Sequence, residues 1–487
     1  MDQSTNNSKK VFGALFWKFL ERMGVNGVQF VLQIILARML SPEHYGVLSM
    51  MIIFTSLAKV FVQRGFNTAL VQNKDVTEED YSSVLWVSLG IAGALYGLLF
   101  ATSPVIANFY GIPEIKDYLR VLALMLFPGA LNSVQLAKLS REINFKKVFI
   151  GNVLGIVISG IVGIVLAYYD FGVWALVAYN LLNIVIACIS MRFMVQLKIK
   201  FVINWNRIKV LFSYGWKLLV SSLIETFYQD IRSLVVGKKY SAGDLGYYER
   251  GKQFPQFITS AINTTVQSVM LPVMSAKQDD KEIVKAIMRK SVTVSSYVIL
   301  PMLAGLAAVA EPVVLILLGE KWVPCAPYMQ IYCFTMAFIP IHSCNLQAIN
   351  AVGRSDIYLK LEIYKKVIGI LALIVAVFCF KSPIAIAMTG VFTTIISCFI
   401  NAFPNKKLIN YSYIEQIRDV IPSFLMSIFM LVIVLAVGQI TLPLIIKLLL
   451  QIMVGVVVYL LISVVIKPSP YKVLWPVVNS LIKGRKK

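Results

Sequence analysis

Charge is scarce in this chain, and what there is leans to one sign. Only 14% of the 487 residues are Asp, Glu, Lys or Arg, with 24 acidic side chains against 46 basic ones, where soluble domains carry about a quarter. So little charge cannot solvate a chain that is 58% hydrophobic with a mean hydropathy of +0.76, and a water-soluble globule is excluded. No GxxxxGK[ST] string occurs, so the sequence offers no phosphate-binding loop for an ATPase of its own. There are only two histidines, His44 and His342, and neither has an evident catalytic partner. Cys325, Cys333 and Cys344 lack metal-ligand spacing and fall, with His342, in an apolar stretch where packing accounts for them. Long polar loops are missing too: the outward-facing connections reach about a dozen residues, which leaves no room for a separate soluble domain. The first apolar stretch lacks a small-residue cleavage site and is interrupted by Lys18, Glu21 and Arg22, so it reads as a retained helix rather than a signal peptide.

What is there in quantity is apolar sequence in runs of about twenty residues, each long enough to cross roughly 30 Å of hydrocarbon. Such runs lie at 11–36, 46–70, 81–103, 118–138, 148–168 and 171–194, then at 210–236, 245–271, 291–318, 325–349, 357–380, 383–403, 420–440 and 442–466. The expected fold is an all-α integral membrane protein of about 14 transmembrane helices. The net charge of +22 would suggest nucleic acid in a soluble protein. Here its placement decides otherwise, because basic segments alternate with weakly charged ones along the chain. Segments holding Lys9 and Lys10, Lys138 to Lys147, Arg192 to Lys209, Lys277 to Lys290, Arg354 to Lys366, Lys406 to Arg418 and Lys467 to Lys487, together with Lys74, contain about thirty Lys and Arg against roughly six in the intervening inter-helix segments. Both termini are therefore expected in the cytoplasm.

The chain also repeats itself. Trp17-Lys18 returns as Trp216-Lys217, and ARMLSPEHYGVLSM (Ala37 to Met50) lines up with GKKYSAGDLGYYER (Gly237 to Arg250), placing Arg38 on Lys238, Ser41 on Ser241 and Gly46 on Gly246 at one constant offset. Pro104-Val105 followed by Gly111 matches Pro312-Val313 followed by Gly319. Six helices per half is an even number, so both halves begin on the same side and form a parallel repeat. The expected organisation is an N-terminal six-helix lobe (1–197), a cytoplasmic linker (198–209), a C-terminal six-helix lobe (210–404), and two extra helices with a basic tail (405–487). Pro255, Pro272 and Pro301 read as kinks, and as candidate hinges.

Fixed charges interrupt four of these helices, the first two of each half. At 100° per residue, Lys18, Glu21, Arg22, Asn26, Gln29 and Gln33 share one face of the first helix. The second carries Thr55, Ser56, Lys59, Gln63 and Asn67 on one side with Arg64 at its edge; the seventh carries Lys217, Ser221, Glu225, Gln229 and Arg232. The eighth has a stripe of Lys252, Gln253, Gln256, Thr259, Ser260, Asn263 and Gln267, with Arg250 near its outer end. A Lys or Arg at a helix centre costs about 2.5 to 3.5 kcal/mol, so Lys18, Arg22, Lys59 and Arg64 together cost about 10 to 14 kcal/mol unless they pair, snorkel or face water. Cations outnumber carboxylates in this set: Lys18, Arg22, Lys59, Arg64, Lys217, Arg232, Arg250 and Lys252 against Glu21, Glu225, Asp230 and Glu249. A net-positive path suits an anionic substrate. The guanidinium groups of Arg22, Arg64 and Arg232 are the phosphate candidates, because their planar fork matches phosphate oxygens. Glu21, Glu225 and Asp230 are the candidates to carry a coupling proton or sodium ion, and Asp230, off the main polar face, is equally suited to a buried structural hydrogen bond. No cofactor is expected beyond that ion.

The strings ARMLSPEHYGVLSM, VGKKYSAGDLGYYERGKQFPQ (Val236 to Gln256) and QLAKLSREINFKKV (Gln135 to Val148) resemble those of polysaccharide exporters. These form a branch of the multidrug/oligosaccharidyl-lipid/polysaccharide superfamily that includes colanic acid and O-antigen flippases and teichuronic acid exporters. The resemblance implies a V-shaped pair of pseudo-symmetric six-helix lobes around a cationic cavity. It also implies translocation of an undecaprenyl-pyrophosphate-linked oligosaccharide to the outer leaflet of the bacterial cytoplasmic membrane, with Arg22, Glu21 and Arg64 at the places where family members keep charge. On that reading Gln29, Gln33, Gln63, Gln229, Gln256 and Asn263 line the path for the glycan, membrane lipid takes the polyprenyl tail, and a glycan polymerase or other assembly proteins are partners. A multidrug antiporter of the same superfamily would need an acidic cavity for cationic drugs, which the excess of cations disfavours. A glycan polymerase or ligase would need a large outward catalytic loop.

Overall fold

A computed structural model of the chain describes residue 17 and residues 23–73 and 75–483. Its elements are α1 (Met23–Met39), α2 (Pro42–Gln72), α3 (Glu78–Tyr110), α4 (Ile115–Ala123), α5 (Leu126–Arg141), α6 (Phe145–Tyr168), α7 (Val173–Met194), α8 (Trp205–Lys239) and α9 (Ala242–Ser275). There follow α10 (Lys281–Ala308), α11 (Ala310–Leu317), a 3₁₀ turn (Glu320–Cys325), α12 (Ala326–Ala337), α13 (Ile339–Ala351), α14 (Ser355–Cys379), α15 (Pro383–Ala402), α16 (Asn405–Ile409), α17 (Tyr413–Gly438), α18 (Leu444–Ile466) and α19 (Ser469–Lys483). No strand occurs among the described residues. Nine helical segments are long and apolar enough to cross a membrane, among the described residues. The protein is thus an all-α, multi-pass membrane protein. α8 and α9 fall short of that apolar standard, α8 through its charged face and α9 through its stripe of Gln, Asn, Thr and Ser.

Three of the expected apolar runs are not single helices. The 118–138 run breaks between α4 and α5, where Leu124 N–H turns back to Val121 O at 3.2 Å, a tighter 3₁₀ bond. The 291–318 and 325–349 runs break at Val309 and Phe338, shortly before Pro312 and Pro340, which open the next helices without an N–H to give. By contrast Pro255, Pro272 and Pro301 sit inside α9 and α10 without ending them.

By contacts the chain divides into two units, Met1–Gly246 and Tyr247–Lys487. In the first, α8 packs along α2, and α6 packs along α7. Small residues permit the α6–α7 approach: a Cβ on Gly155 would lie 2.8 Å from the Asn183 carbonyl oxygen. The repeat seen in the sequence shows itself here as a reciprocal contact. A Cβ on Gly46 would overlap the Ala242 carbonyl, and one on Gly246 would overlap the carbonyl of Pro42, the position matching Ala242 in the repeat. Two helix starts thus meet backbone to backbone, and only glycine leaves room.

The 198–209 segment is strapped to the N-terminal turns of α3. Thr77 caps α3 by accepting from Asp80 N–H, and the Asp80 carboxylate, 1% exposed, receives Arg207 Nε at 2.8 Å and Nη2 at 2.7 Å. Ser83 Oγ accepts from Asn204 N–H at 3.0 Å, Trp86 Nε1 donates to Lys200 O at 2.9 Å, and the Trp86 ring stacks on Phe201. The sequence repeat and the contact units therefore divide the chain at different places, the first at this strap and the second inside α9.

In the second unit α10 packs on α17, and α17 on α18. Tyr297 on α10 donates to Ser463 Oγ at 2.7 Å while Tyr459 donates to the Tyr297 carbonyl at 2.8 Å, which fixes the α10–α18 register. A second polar knot joins Asn345 of α13, Gln416 of α17 and Asn405 of α16, all at most 4% exposed. At the start of α10, Lys285 pairs with Glu415 at 3.0 Å and Arg289 with Asp419 at 2.6 Å. The six cysteines are all free.

Candidate functional site

The polar face of α2 is built one turn at a time. Thr55, Ser56, Lys59, Gln63 and Asn67 recur at three- and four-residue spacing, so they share one side of the helix. Most of them are spoken for by neighbouring backbone. Thr55 returns its hydroxyl to its own helix at Ile52 O, 3.2 Å away, Gln63 reaches Gly129 O of α5 at 3.5 Å, and Asn67 donates to Ser133 O at 2.8 Å. Ser56 can reach both Ile53 O at 2.9 Å and the Asp230 carboxylate of α8 at 2.7 Å. Its single proton serves one of them, and the ionised oxygen is the stronger acceptor.

Lys59 stands one turn beyond Ser56, half-buried near the middle of α2. Among the described residues it has no ion-pair partner. On α8, Glu225 accepts from Gln229 at 2.8 Å, and the Arg232 guanidinium lies over the Tyr228 ring at 5.4 Å. Lys217 is exposed about three turns into that helix. The structure therefore joins Ser56 of α2 to Asp230 of α8, while Lys59 and Gln63 share the Ser56 face of α2 and Gln63 turns toward α5.

The remaining sequence candidates divide three ways. Lys18, Glu21 and Arg22, and the side chain of Arg64, lie outside the described residues; Gln29 and Gln33 are half-buried on α1. In the second unit Arg250 is only 5% exposed: its guanidinium donates to Gln253 and lies over the Trp322 ring at 5.9 Å. Lys252 pairs with Glu249 at 3.9 Å. Gln256 is exposed, Gln267 donates to Ser343 Oγ at 3.1 Å, and the buried Asn263 Oδ1 has no hydrogen-bond partner among the described residues.

Three strong contacts were not visible in the helix pattern: Asp80 with Arg207, Glu78 with Lys138 at 2.6 Å, and Arg250 with Trp322. Only the first left a local signal, the Thr77-to-Asp80 spacing of a helix cap.

The architecture and the polar face of α2 together mark a membrane transporter of helical bundles. The family model for polysaccharide biosynthesis proteins matches residues 35–327, and the chain belongs to that family. Among its relatives is the succinoglycan biosynthesis transport protein ExoT of Rhizobium meliloti, 24% identical over 353 residues, 72% of each chain. The teichuronic acid biosynthesis protein TuaB of Bacillus subtilis is 23% identical over 356 residues, 72% of this chain and 73% of its own. Among solved structures, the lipid II flippase MurJ in an inward closed conformation superposes with a TM-score of 0.77 at 16% identity, covering 93% of this chain and 98% of its own. That likeness gives the fold class.

Proposed function

We propose that this protein is a flippase that carries an undecaprenyl-pyrophosphate-linked oligosaccharide from the cytoplasmic to the outer leaflet of the bacterial inner membrane. The observation that carries the proposal is the polar face of α2: Lys59 sits near the middle of that apolar helix without an ion-pair partner among the described residues, in a chain of the polysaccharide biosynthesis family. An unpaired ammonium there is costly, and an anionic substrate passing it relieves the cost. Relatives named for succinoglycan transport and teichuronic acid biosynthesis support a glycan cargo, and a fold neighbour named a lipid II flippase supports a lipid-linked one.

The proposed division of labour follows from residue chemistry. Lys59 with Arg22, Arg64 and Arg232 meets the pyrophosphate, Lys217 and Lys252 add positive potential, and Gln29, Gln33, Gln63 and Gln229 offer hydrogen bonds to the glycan. The tail stays in lipid. The six-helix repeats, with both termini cytoplasmic, are the proposed units of alternating access. Outward movement of two negative charges gains about 4 to 5 kcal/mol per 100 mV of inside-negative potential. Glu21 or Glu225 carries any counter-moving proton or sodium ion, whereas Asp230 is held by Ser56. The protein transports and does not catalyse, and it hands its product to a glycan polymerase or another assembly protein.

A gene deletion tests this reading. Lipid-linked oligosaccharide should accumulate on the cytoplasmic side and clear on complementation, but not with Lys59→Ala combined with Arg64→Ala. Full rescue by that double variant would remove the phosphate path.

A further inference from the structure

The last helix does not belong to the proposed transport path, and its chemistry points elsewhere. α18 keeps exposed apolar side chains to its final turn, with Val465 81% and Ile466 55% exposed, so hydrocarbon reaches to its end. There Lys467 takes a left-handed conformation, φ 48°, and Pro468 forbids continuation of the helix. α19 therefore starts at the boundary between hydrocarbon and headgroups. Its first turns are pinned to the bundle, with Tyr471 and Leu474 packed on the cluster that contains Tyr297 and Tyr459. One turn on, Trp475 stacks on Tyr471 with ring centroids 5.5 Å apart and is itself 50% exposed, the placement of an interfacial aromatic.

The sequence of α19 divides sharply around the helix. Its polar positions 469, 472, 479, 480 and 483 fall, at 100° per residue, within an arc of about 100°, which also holds Pro476, and the other apolar positions fill the rest. From Lys467 to the end of the sequence the charged residues are Lys467, Lys472, Lys483, Arg485, Lys486 and Lys487, with no acidic residue among them. Lys467 and Lys472 are exposed.

We propose that α19 is an interfacial helix whose basic face collects anionic phospholipid headgroups. Apolar burial alone would hold it at any bilayer. The uniform positive charge selects the lipid, since each Lys or Arg near an anionic surface adds about a five-fold preference for it. This contact is independent of the cargo.

Trp475 reports on it directly. The full-length protein is reconstituted in phosphatidylcholine vesicles doped with brominated phosphatidylglycerol or brominated phosphatidylcholine, and the Trp475 signal is taken as the difference between the parent and Trp475→Phe. Brominated phosphatidylglycerol should quench at a mole fraction at least five-fold lower. Raising salt to about 0.5 M should narrow that gap in the unmutated protein. Lys472→Gln with Lys483→Gln should close most of it, while Lys406→Gln with Lys407→Gln should leave it unchanged. Equal quenching by the two lipids overturns the lipid preference, and no quenching by either overturns the interfacial placement.

Discussion

Lys59→Met separates a functional charge from a structural one, because the two roles predict opposite signs. Methionine keeps an unbranched side chain of similar length and removes only the ammonium. In a bilayer, a lysine near a helix centre costs about 2.5 to 3.5 kcal/mol, and Lys59 has no ion pair among the described residues to offset that cost. It is half-buried, so the surrounding protein already offsets part of the cost. Lys59→Met should therefore stabilise the folded protein by about 1 to 2 kcal/mol, read as a higher unfolding temperature in lipid nanodiscs. Transport should fall at the same time. A hydrogen bond to a charged group contributes about 1.5 to 3 kcal/mol, so losing the contact to a phosphate oxygen should slow flipping about 10- to 100-fold in proteoliposomes. Stability and activity moving in opposite directions is the signature of a site held for function. A variant that unfolds at lower temperature and flips at the parental rate would refute the reasoning, because Lys59 would then be a structural group.

Asp80→Asn should destabilise the protein by about 1.5 to 3 kcal/mol in thermal unfolding, because it gives up the charge-assisted hydrogen bonds that Arg207 makes to the buried carboxylate; an unchanged midpoint would mean the strap contributes nothing. Gly46→Ala and Gly246→Ala should each prevent accumulation of folded protein, since their Cβ atoms meet backbone carbonyls, whereas Gly90→Ala, with open space around its Cβ, should stabilise α3 by up to about 1 kcal/mol. Membrane-fraction yields of the three variants compare them directly. Tyr297→Phe removes the hydroxyl that donates to Ser463 and should cost about 1 kcal/mol, measured as a lower unfolding temperature with transport retained.

Amphipathic helices were legible in the sequence because their period is local. Ser56, Lys59, Gln63 and Asn67 announce one face of α2 without knowledge of any neighbour, whereas the hydrogen bond from Ser56 to Asp230 of α8 is visible only in the fold. Gly46 and Gly246 stood out through the repeat, although only the fold shows that each makes room for the other's helix start. What hydropathy did not register was interruption within an apolar run. Leu124 and Met125 are as apolar as their neighbours, so nothing marks the α4–α5 break, while Pro312 and Pro340 did carry a signal. Arg250 shows the other limit. Its charge suggested substrate, but Trp322 is distant along the chain, and the contact that buries the guanidinium is a product of folding.

The most direct measurement is transbilayer movement of a purified undecaprenyl-pyrophosphate-linked oligosaccharide in proteoliposomes, followed by the accessibility of its glycan to an added lectin. The account predicts protein-dependent flipping that accelerates when the potential favours movement of negative charge and slows with Lys59→Met. Movement no faster than in protein-free vesicles, with the folded protein present, would contradict it.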